Sequence, residues 1–307
     1  KYDLLSDMTV DAMALEEKTY NKKDDLYAWF RFGTDISSSG NLIDAAGSSL
    51  DLAPVSARPK FLIDAPNSLP TVSGFSKNSY SFDNVTISSA TKTDFEFDNG
   101  EDTPASAFSI SAWVKFDPFS GTNNQLIVSK AHNANPALIQ YKLYLDKTLT
   151  TQSIFFEIQN GTGKSFTSKA TDLPIAAGAW HHIVATFNGT PSPDSGHVLV
   201  YVDGIPTSVT TVGNGGSFTQ IADTDALFSI GNDYISTSTT DFAGQIAEVA
   251  LWKTSLTQDD ITTLYSFKDK VAYSFSSGFV NLPPRVLLRQ LDNATGSYPT
   301  VLRMGDK

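Results

Sequence analysis

The 307-residue chain contains no cysteine. That excludes disulfides, thiolate metal ligands and a cysteine nucleophile. Basic residues are also few: 22 Lys and Arg stand against 33 Asp and Glu, a formal net charge of −11. Neutralising a phosphate backbone takes clustered cations. No basic stripe is present, and the reading is no nucleic-acid partner. Long apolar runs are missing, none approaching the ~20 residues of a spanning helix, so no membrane segment is expected, and no secretory signal is visible. Glutamate is scarce: Glu16, Glu17, Glu96, Glu101, Glu157 and Glu248 are the whole set. The acidic charge is carried by Asp, which suits turns and oxygen-rich cation sites where Glu suits helices.

What is there is mostly β-patterned. Phe108, Ile110, Ala112, Val114 and Phe116 alternate with Ser109, Ser111, Trp113 and Lys115, the signature of a half-buried strand. The runs 27–32, 79–87, 126–129, 139–145, 153–158, 180–187, 197–202, 227–230 and 245–252 extend the series. Asn160-Gly161 and Asp203-Gly204 read as tight hairpin turns. Residues 33–78 are rich in Ser, Gly, Pro and Asp and suit long loops with short edge strands. Thr257 and Asp260 stand three apart in a near capping box, followed by Ile261, Leu264 and Tyr265 on one side of a short helix. Short strands punctuated by turns indicate an all-β sandwich or barrel. The expected organisation is an N-terminal arm with helical composition (1–25), a sandwich (26–270) and an extended C-terminal tail (271–307). The start at Lys1 and the abrupt end at Lys307 lead us to expect a fragment or processed form of a longer chain. Secreted animal sandwiches of this size often carry a disulfide, so the lack of cysteine favours a microbial or viral source, or an intracellular stage of assembly.

Three segments together resemble the laminin-G-like jelly-roll family, related to the concanavalin A-like lectins and glucanases. They are Phe108–Lys115; Trp180-His-His-Ile-Val-Ala-Thr-Phe-Asn-Gly189 with Val198–Gly204; and Gly244–Trp252 followed by Leu256, Ile261, Leu264 and Tyr265. Ser79–Asp83 resembles the first strand of the family, displaced by an insertion at 88–106. The resemblance covers residues 79–267 and implies a two-sheet antiparallel jelly-roll sandwich. Trp113, Trp180 and Trp252 fall on strands, where core packing is the expected role and would remove roughly 150–250 Å² each from water.

Catalytic patterns were sought without success. Glycosidases of this fold need paired carboxylates about 5–5.5 Å apart for retaining hydrolysis, and their Glu-x-Asp-x-x-Glu strand is not found. Glu157 and Glu248 are lone carboxylates, read as a solvated strand face or turn. Gly161–Ser165 ends like a phosphate-binding loop, but Ile158 stands where its first glycine belongs. The reading is therefore not an enzyme. His181 and His182 are adjacent on a strand and point to opposite faces, which suits structural roles; the same holds for His132 and His197. Calcium is the one cofactor to carry, since related proteins bind it at the sandwich rim. Its candidate ligands are Asp83 with Asn84, Asn188 with Asp194, and Asn232 with Asp233, and turn formation explains these residues equally well.

Two functions remain open. One is a structural or adhesive module of a virus particle, most plausibly a bacteriophage, partnered by other virion subunits through its arms, oligomeric or part of an assembly. The other is a carbohydrate-binding lectin domain of a bacterial surface or secreted protein, with Tyr144 and Tyr234 as the ligand-contacting aromatics to test. A virion module could also bind host glycans.

Overall fold

In a computed structural model, the described residues are 25–32, 36–55, 60–62, 64, 79–82, 86–89, 91, 93–97, 106–118, 124–131, 139–146, 153–160, 165–171, 173, 175–189, 197–211, 221–232 and 242–266. The expected arm, apart from Asp25, and the expected tail lie outside the described residues. In chain order the first strands are β1 (Leu26–Phe30), β2 (Leu52–Pro54), β3 (Lys60–Leu62), β4 (Ser79–Phe82), β5 (Ile87–Ser89) and β6 (Phe108–Phe116). Then come β7 (Gln125–Ala131), β8 (Ile139–Asp146), β9 (Ser153–Gln159), β10 (Ser165–Ala170), β11 (Trp180–Phe187) and β12 (Val198–Val202). β13 (Ile205–Pro206), β14 (Val209–Thr211), β15 (Phe228–Ile230), β16 (Gly244–Trp252) and the helix α1 (Gln258–Ser266) complete the set.

Among the described residues the strands make two sheets of eight. The first runs β13-β12-β11-β6-β16-β4-β3, with β1 added to β16. The second runs β14-β10-β9-β8-β7-β15-β5-β2. This is the expected two-sheet antiparallel jelly-roll sandwich with one short helix. The Ser- and Pro-rich stretch supplies short edge strands as read: β2 borders the second sheet and β3 the first. Edges this short offer little unpaired backbone for another chain to copy.

The space between the sheets is filled by the inward half of each alternation. Phe108, Ile110, Ala112, Val114 and Phe116 of β6 face Tyr141, Leu143 and Leu145 of β8 and Ile154, Phe156 and Ile158 of β9 in one apolar core. Phe108 lies at its aromatic centre, 4.3 Å from the Phe97 ring and within 6 Å of Tyr141, Phe156 and Phe187. The insertion at 88–106 is no mere surface loop: Phe95 and Phe97 lie fully inside, and Phe95 stacks on Phe228 at 4.1 Å. β6 also departs from the half-buried expectation. Ser109, Ser111 and Trp113 on its other face are buried as well, because the chain from Thr254 through α1 lies over them. The Ser109 hydroxyl donates to Thr254 O at 2.8 Å and accepts the Leu256 N–H at 2.9 Å.

Local chemistry explains the joints. Asp203 and Gly204 both have positive φ, 53° and 78°, the requirement of a type I′ hairpin turn. Thr257 and Asp260 cap α1: the Asp260 carboxylate accepts the Thr257 N–H at 2.9 Å, and the Thr257 hydroxyl accepts the Asp260 N–H at 3.2 Å. In β16 the pairing with β6 slips between Ala247 and Ala250. This bulge divides the free side of the strand. Gly244–Ile246 pair with β4, and Val249–Trp252 pair with β1. No helix among the described residues is long and apolar enough to cross a membrane.

Candidate functional site

The two sheets present outer faces of opposite character. On the first sheet Val184, Tyr201, Ala250 and Trp252 form an apolar cluster closed by Leu256 and Ile261. Beside it the Trp113 ring stacks on His182 at 4.9 Å and on Tyr265 of α1 at 5.8 Å. Trp113 and Trp252 are thus packed as expected, but under the helix and not in the main core. Trp180 is only half-buried, and its indole N–H donates to Asp64 at 3.2 Å. Asp64 also takes the Lys115 ammonium at 2.7 Å. This face is occupied by its own helix and by paired side chains.

The outer face of the second sheet is polar. The register places Lys169, Phe155, Tyr144 and Leu126 in one row across β10, β9, β8 and β7. The next row is Thr167, Glu157, Lys142 and Ser129, continued by Ser229 of β15 and Ser88 of β5. Side chains in register on one face stand about 4.5–5.5 Å apart at Cβ, so each row is a chain of neighbours. Tyr144 and Phe155 stack at 5.2 Å with planes 7° apart, and the Lys169 ammonium sits 5.6 Å from the Phe155 ring centre. The Phe155 ring is therefore held between β8 and β10, and the aromatic pair offers edges and the Tyr144 hydroxyl more than an open stacking face. Burial foremost, then the Glu157 and Asp146 carboxylates, pushes the Tyr144 hydroxyl well above the usual phenol range. It stays a neutral phenol, able both to donate and to accept.

At the 159 end of β9 the rows give way to amides. Gln159 Nε2 donates to Glu157 Oε1 at 2.7 Å, and Gln140 Nε2 donates to Ala222 O at 2.7 Å. The Ala222 N–H donates to Gln159 O at 2.7 Å, so the segment before β15 crosses the ends of β9 and β8 here. Gln140 and Gln159 are buried, and each keeps an Oε1 atom without a hydrogen-bond partner.

Among the residues expected from sequence, Tyr144 lies in this face. Tyr234, Asp83, Asn84, Asp194 and Asp233 lie outside the described residues. Asn188 and Asn232 are not brought together with Tyr144. Asn188 follows β11 at the other sheet's hairpin, with its side chain turned onto His197 at 2.8 Å. Asn232 is buried after β15, and its backbone carbonyl accepts the Ser229 hydroxyl at 2.7 Å. The described members of the calcium set do not assemble an oxygen cage, and no group of three metal-ligating side chains occurs among the described residues.

The carboxylate readings change. Glu248 is not on a solvated face: it is 3% exposed and accepts the Trp29 indole N–H at 2.7 Å. Glu157 is half-buried and holds Gln159. The paired histidines serve structure. His181 donates from Nδ1 to Asp203 at 2.8 Å and accepts the Ala176 N–H at Nε2, which leaves no ring nitrogen for a substrate proton. His182 bonds Ser111 at 2.8 Å under α1. Phe155, Lys142, Lys169, Gln140 and Gln159 were missed as site residues. The alternation in Ile139–Leu145 already separates Gln140, Lys142 and Tyr144 from the core, but their neighbours come from other strands.

A family model described as the concanavalin A-like lectin/glucanases superfamily matches residues 88–262, more than half of the chain. Among solved structures, the chain is similar to the binding domain of Paraclostridial Mosquitocidal Protein 1, at 13% identity and a TM-score of 0.56, covering 80% of this chain and 52% of that one. It is similar to domain 4 of AbnA, an extracellular arabinanase from Geobacillus stearothermophilus, in complex with arabinotriose. There the identity is 15% and the TM-score 0.51, over 78% of this chain and 98% of that one. The botulinum neurotoxin serotype D binding domain matches at 12% identity and a TM-score of 0.51, over 82% and 53%. The chain spans about half the length of these two toxin binding domains. At such identities the likeness speaks for the fold. No curated protein matches by sequence.

Proposed function

Because this chain belongs to the concanavalin A-like lectin/glucanases superfamily, we propose that it is a non-catalytic module that binds glycans on the outer face of its second sheet. One observation carries the reading: the first sheet's outer face is plugged by α1, while on the second the half-buried Lys169, Phe155, Tyr144 and Glu157 lie in two registered rows beside the buried Lys142. Sugar sites combine aromatic surface with a few placed polar groups, and this face has both. The bound arabinotriose of the arabinanase domain supports the same use of the fold. A glycan array on residues 1–307, followed by calorimetry on the best ligand, tests it. Tyr144→Ala is expected to weaken binding about tenfold, the loss of one hydrogen bond and its packing. Unchanged affinity in a folded Tyr144→Ala protein removes the site.

The particle-module reading is favoured by the acidic, cysteine-free composition. In it the same sandwich is displayed on a virion, with 1–25 and 271–307 joining it to other subunits. Deleting both segments should leave a folded sandwich that no longer joins its assembly. Normal incorporation of the truncated protein counts against it.

A further inference from the structure

On the outer face of the first sheet, α1 reaches only as far as the row of His182, Trp113 and Ala247. All three are buried, and the His182 and Trp113 rings stack on Tyr265. One pleat further along the same strands the cover stops. The register sets Trp180, Lys115, Gln245, Ser81 and Lys60 side by side across β11, β6, β16, β4 and β3. Their chain neighbours Val114, Phe116, Ile246, Tyr80 and Phe82 fill the core, so this row points outward. Lys60 is exposed and the other four are half-buried. Interstrand spacings of roughly 4.8 Å make the row about 19 Å long, longer than a monosaccharide.

Asp64 organises the row. Its carboxylate takes the Trp180 indole N–H at 3.2 Å, the Lys115 ammonium at 2.7 Å and the Gln245 amide. The Gln245 oxygen in turn accepts the Ser79 hydroxyl at 3.0 Å. A carboxylate has about four lone-pair sites, so Asp64 can accept once more, and the Lys115 ammonium has N–H bonds left to give. These groups are reachable from outside: the Lys115 and Asp64 side chains are 25% and 39% exposed. Trp180 also differs from the aromatics of the second sheet. Phe155 has the Tyr144 ring and the Lys169 ammonium against it, whereas among the described residues no ring and no cation lies over the Trp180 indole.

We infer that this open row is a second saccharide site, with Trp180 as the stacking platform, Asp64 as a hydroxyl acceptor and Lys115 as a donor. A sugar hydroxyl donates and accepts at once, which suits a carboxylate and an ammonium held 2.7 Å apart. The C–H face of a sugar ring is apolar, which suits an unstacked indole, and sugar sites join such a ring to a few placed polar groups. Trp180, Lys115 and Gln245 are already tied to Asp64, so little side-chain freedom is left to lose on binding. An extended peptide finds less here, because β6 and β16 are paired on both sides and offer no free edge for strand addition. The site is independent of the one on the second sheet, and a chain carrying both bridges two glycan strands.

The test uses the intact chain and a panel of arabinan, β-glucan, mannan, galactan and sialylated oligosaccharides, followed by calorimetry and by tryptophan emission. Trp180→Ala, Asp64→Asn and Tyr144→Ala are compared, with thermal unfolding confirming that each variant folds. At this site Trp180→Ala and Asp64→Asn are each expected to lose about tenfold in affinity, while Tyr144→Ala leaves it unchanged. Saturating ligand is expected to alter the emission of wild type, and that change should vanish in Trp180→Phe, which keeps a ring but not the reporter. Affinity unchanged in folded Trp180→Ala and Asp64→Asn overturns the inference, and a loss in Tyr144→Ala then leaves the second-sheet reading standing. An emission change undiminished in Trp180→Phe also overturns it. Loss in Trp180→Ala and Asp64→Asn with none in Tyr144→Ala supports this site and removes the other. Silence of the folded wild-type chain toward the whole panel overturns both. Should Trp180→Ala fail to fold, Asp64→Asn and the emission of Trp180→Phe still decide.

Discussion

Glu248 accepts the Trp29 indole N–H at 2.7 Å while its own backbone turns through φ 51° in the middle of β16. A non-glycine residue with positive φ inside a strand is costly, of order 1–3 kcal/mol. It is held here by the bulge that lets β16 serve β4 with one half and β1 with the other. The bond ties β1 to the strained residue. Trp29→Phe keeps most of the ring and removes the donor. It is expected to destabilise the fold by about 1.5–3 kcal/mol, the worth of a hydrogen bond to a charged group, read from urea unfolding midpoints. A change within about 0.5 kcal/mol, the usual range of a surface substitution, would show that the bond is dispensable.

Gly244 begins β16 at φ 139°, and a Cβ built on it would meet Lys115 O at 2.1 Å. Backbone cannot yield as a flexible side-chain tip can. Gly244→Ala should therefore cost at least about 2 kcal/mol, lowering the thermal midpoint by several degrees. A wild-type melting curve for this variant would refute the close approach.

Phe108 touches Phe97, Tyr141, Phe156 and Phe187 and is fully buried. Truncation leaves a cavity that four rigid rings cannot close. Phe108→Ala is expected to cost about 3–5 kcal/mol, against about 1 for Phe108→Leu. Equal losses in chemical denaturation would mean that refilling the volume recovers nothing and that the cost lies in losing the ring itself.

Asp203 links both histidines to the I′ turn. Burial works to raise its carboxyl, but the bonds from His181 Nδ1 and the His182 N–H hold it below the usual carboxylate range. The unfolded chain then binds the proton at higher pH than the folded one. The stabilisation is complete above the unfolded value of about 3.9 and is lost as pH falls through the lower folded value. Asp203→Asn suits the same Asn-Gly turn and lacks the titration. Its unfolding free energy, followed from pH 7 to pH 2, should fall less steeply below pH 4 than that of wild type. Parallel curves would assign the acid sensitivity elsewhere. Asp64, lowered by Lys115 and Trp180 despite its own burial, contributes with the same sign.

Much of this architecture is legible residue by residue. The alternation of Phe108 to Phe116 marks a strand because side chains on extended backbone leave on opposite sides in turn. Asp203-Gly204 marks its turn because glycine, and after it asparagine and aspartate, tolerate positive φ more readily than other residues. Thr257 and Asp260 mark a helix start because their side chains reach backbone N–H groups three residues away. β10 escaped notice because Ser165-Phe-Thr-Ser-Lys-Ala170 alternates weakly, and it is a strand through pairing with β9 and β14.

The site divides along the same line. Gln140, Lys142 and Tyr144 share one side of β8 by the two-residue period alone, a strictly local property. That Tyr144 stacks on Phe155, that Lys142 stands across from Glu157, and that Gln140 and Gln159 each hold an oxygen without a donor depend on the β8–β9 register and on the crossing of residue 222. Glu248 shows the same limit: as a lone acid in a strand it reads as solvated, and only a bulge paired with β1 sets it against Trp29. Short-range sterics and hydrogen bonding act within a few residues, so the sequence by itself determined the strands, turns, cap and family. Which strand lies beside which, and hence which outer face is covered and which carries the polar rows, was decided by tertiary packing, because cross-strand neighbours are chosen by the whole core at once.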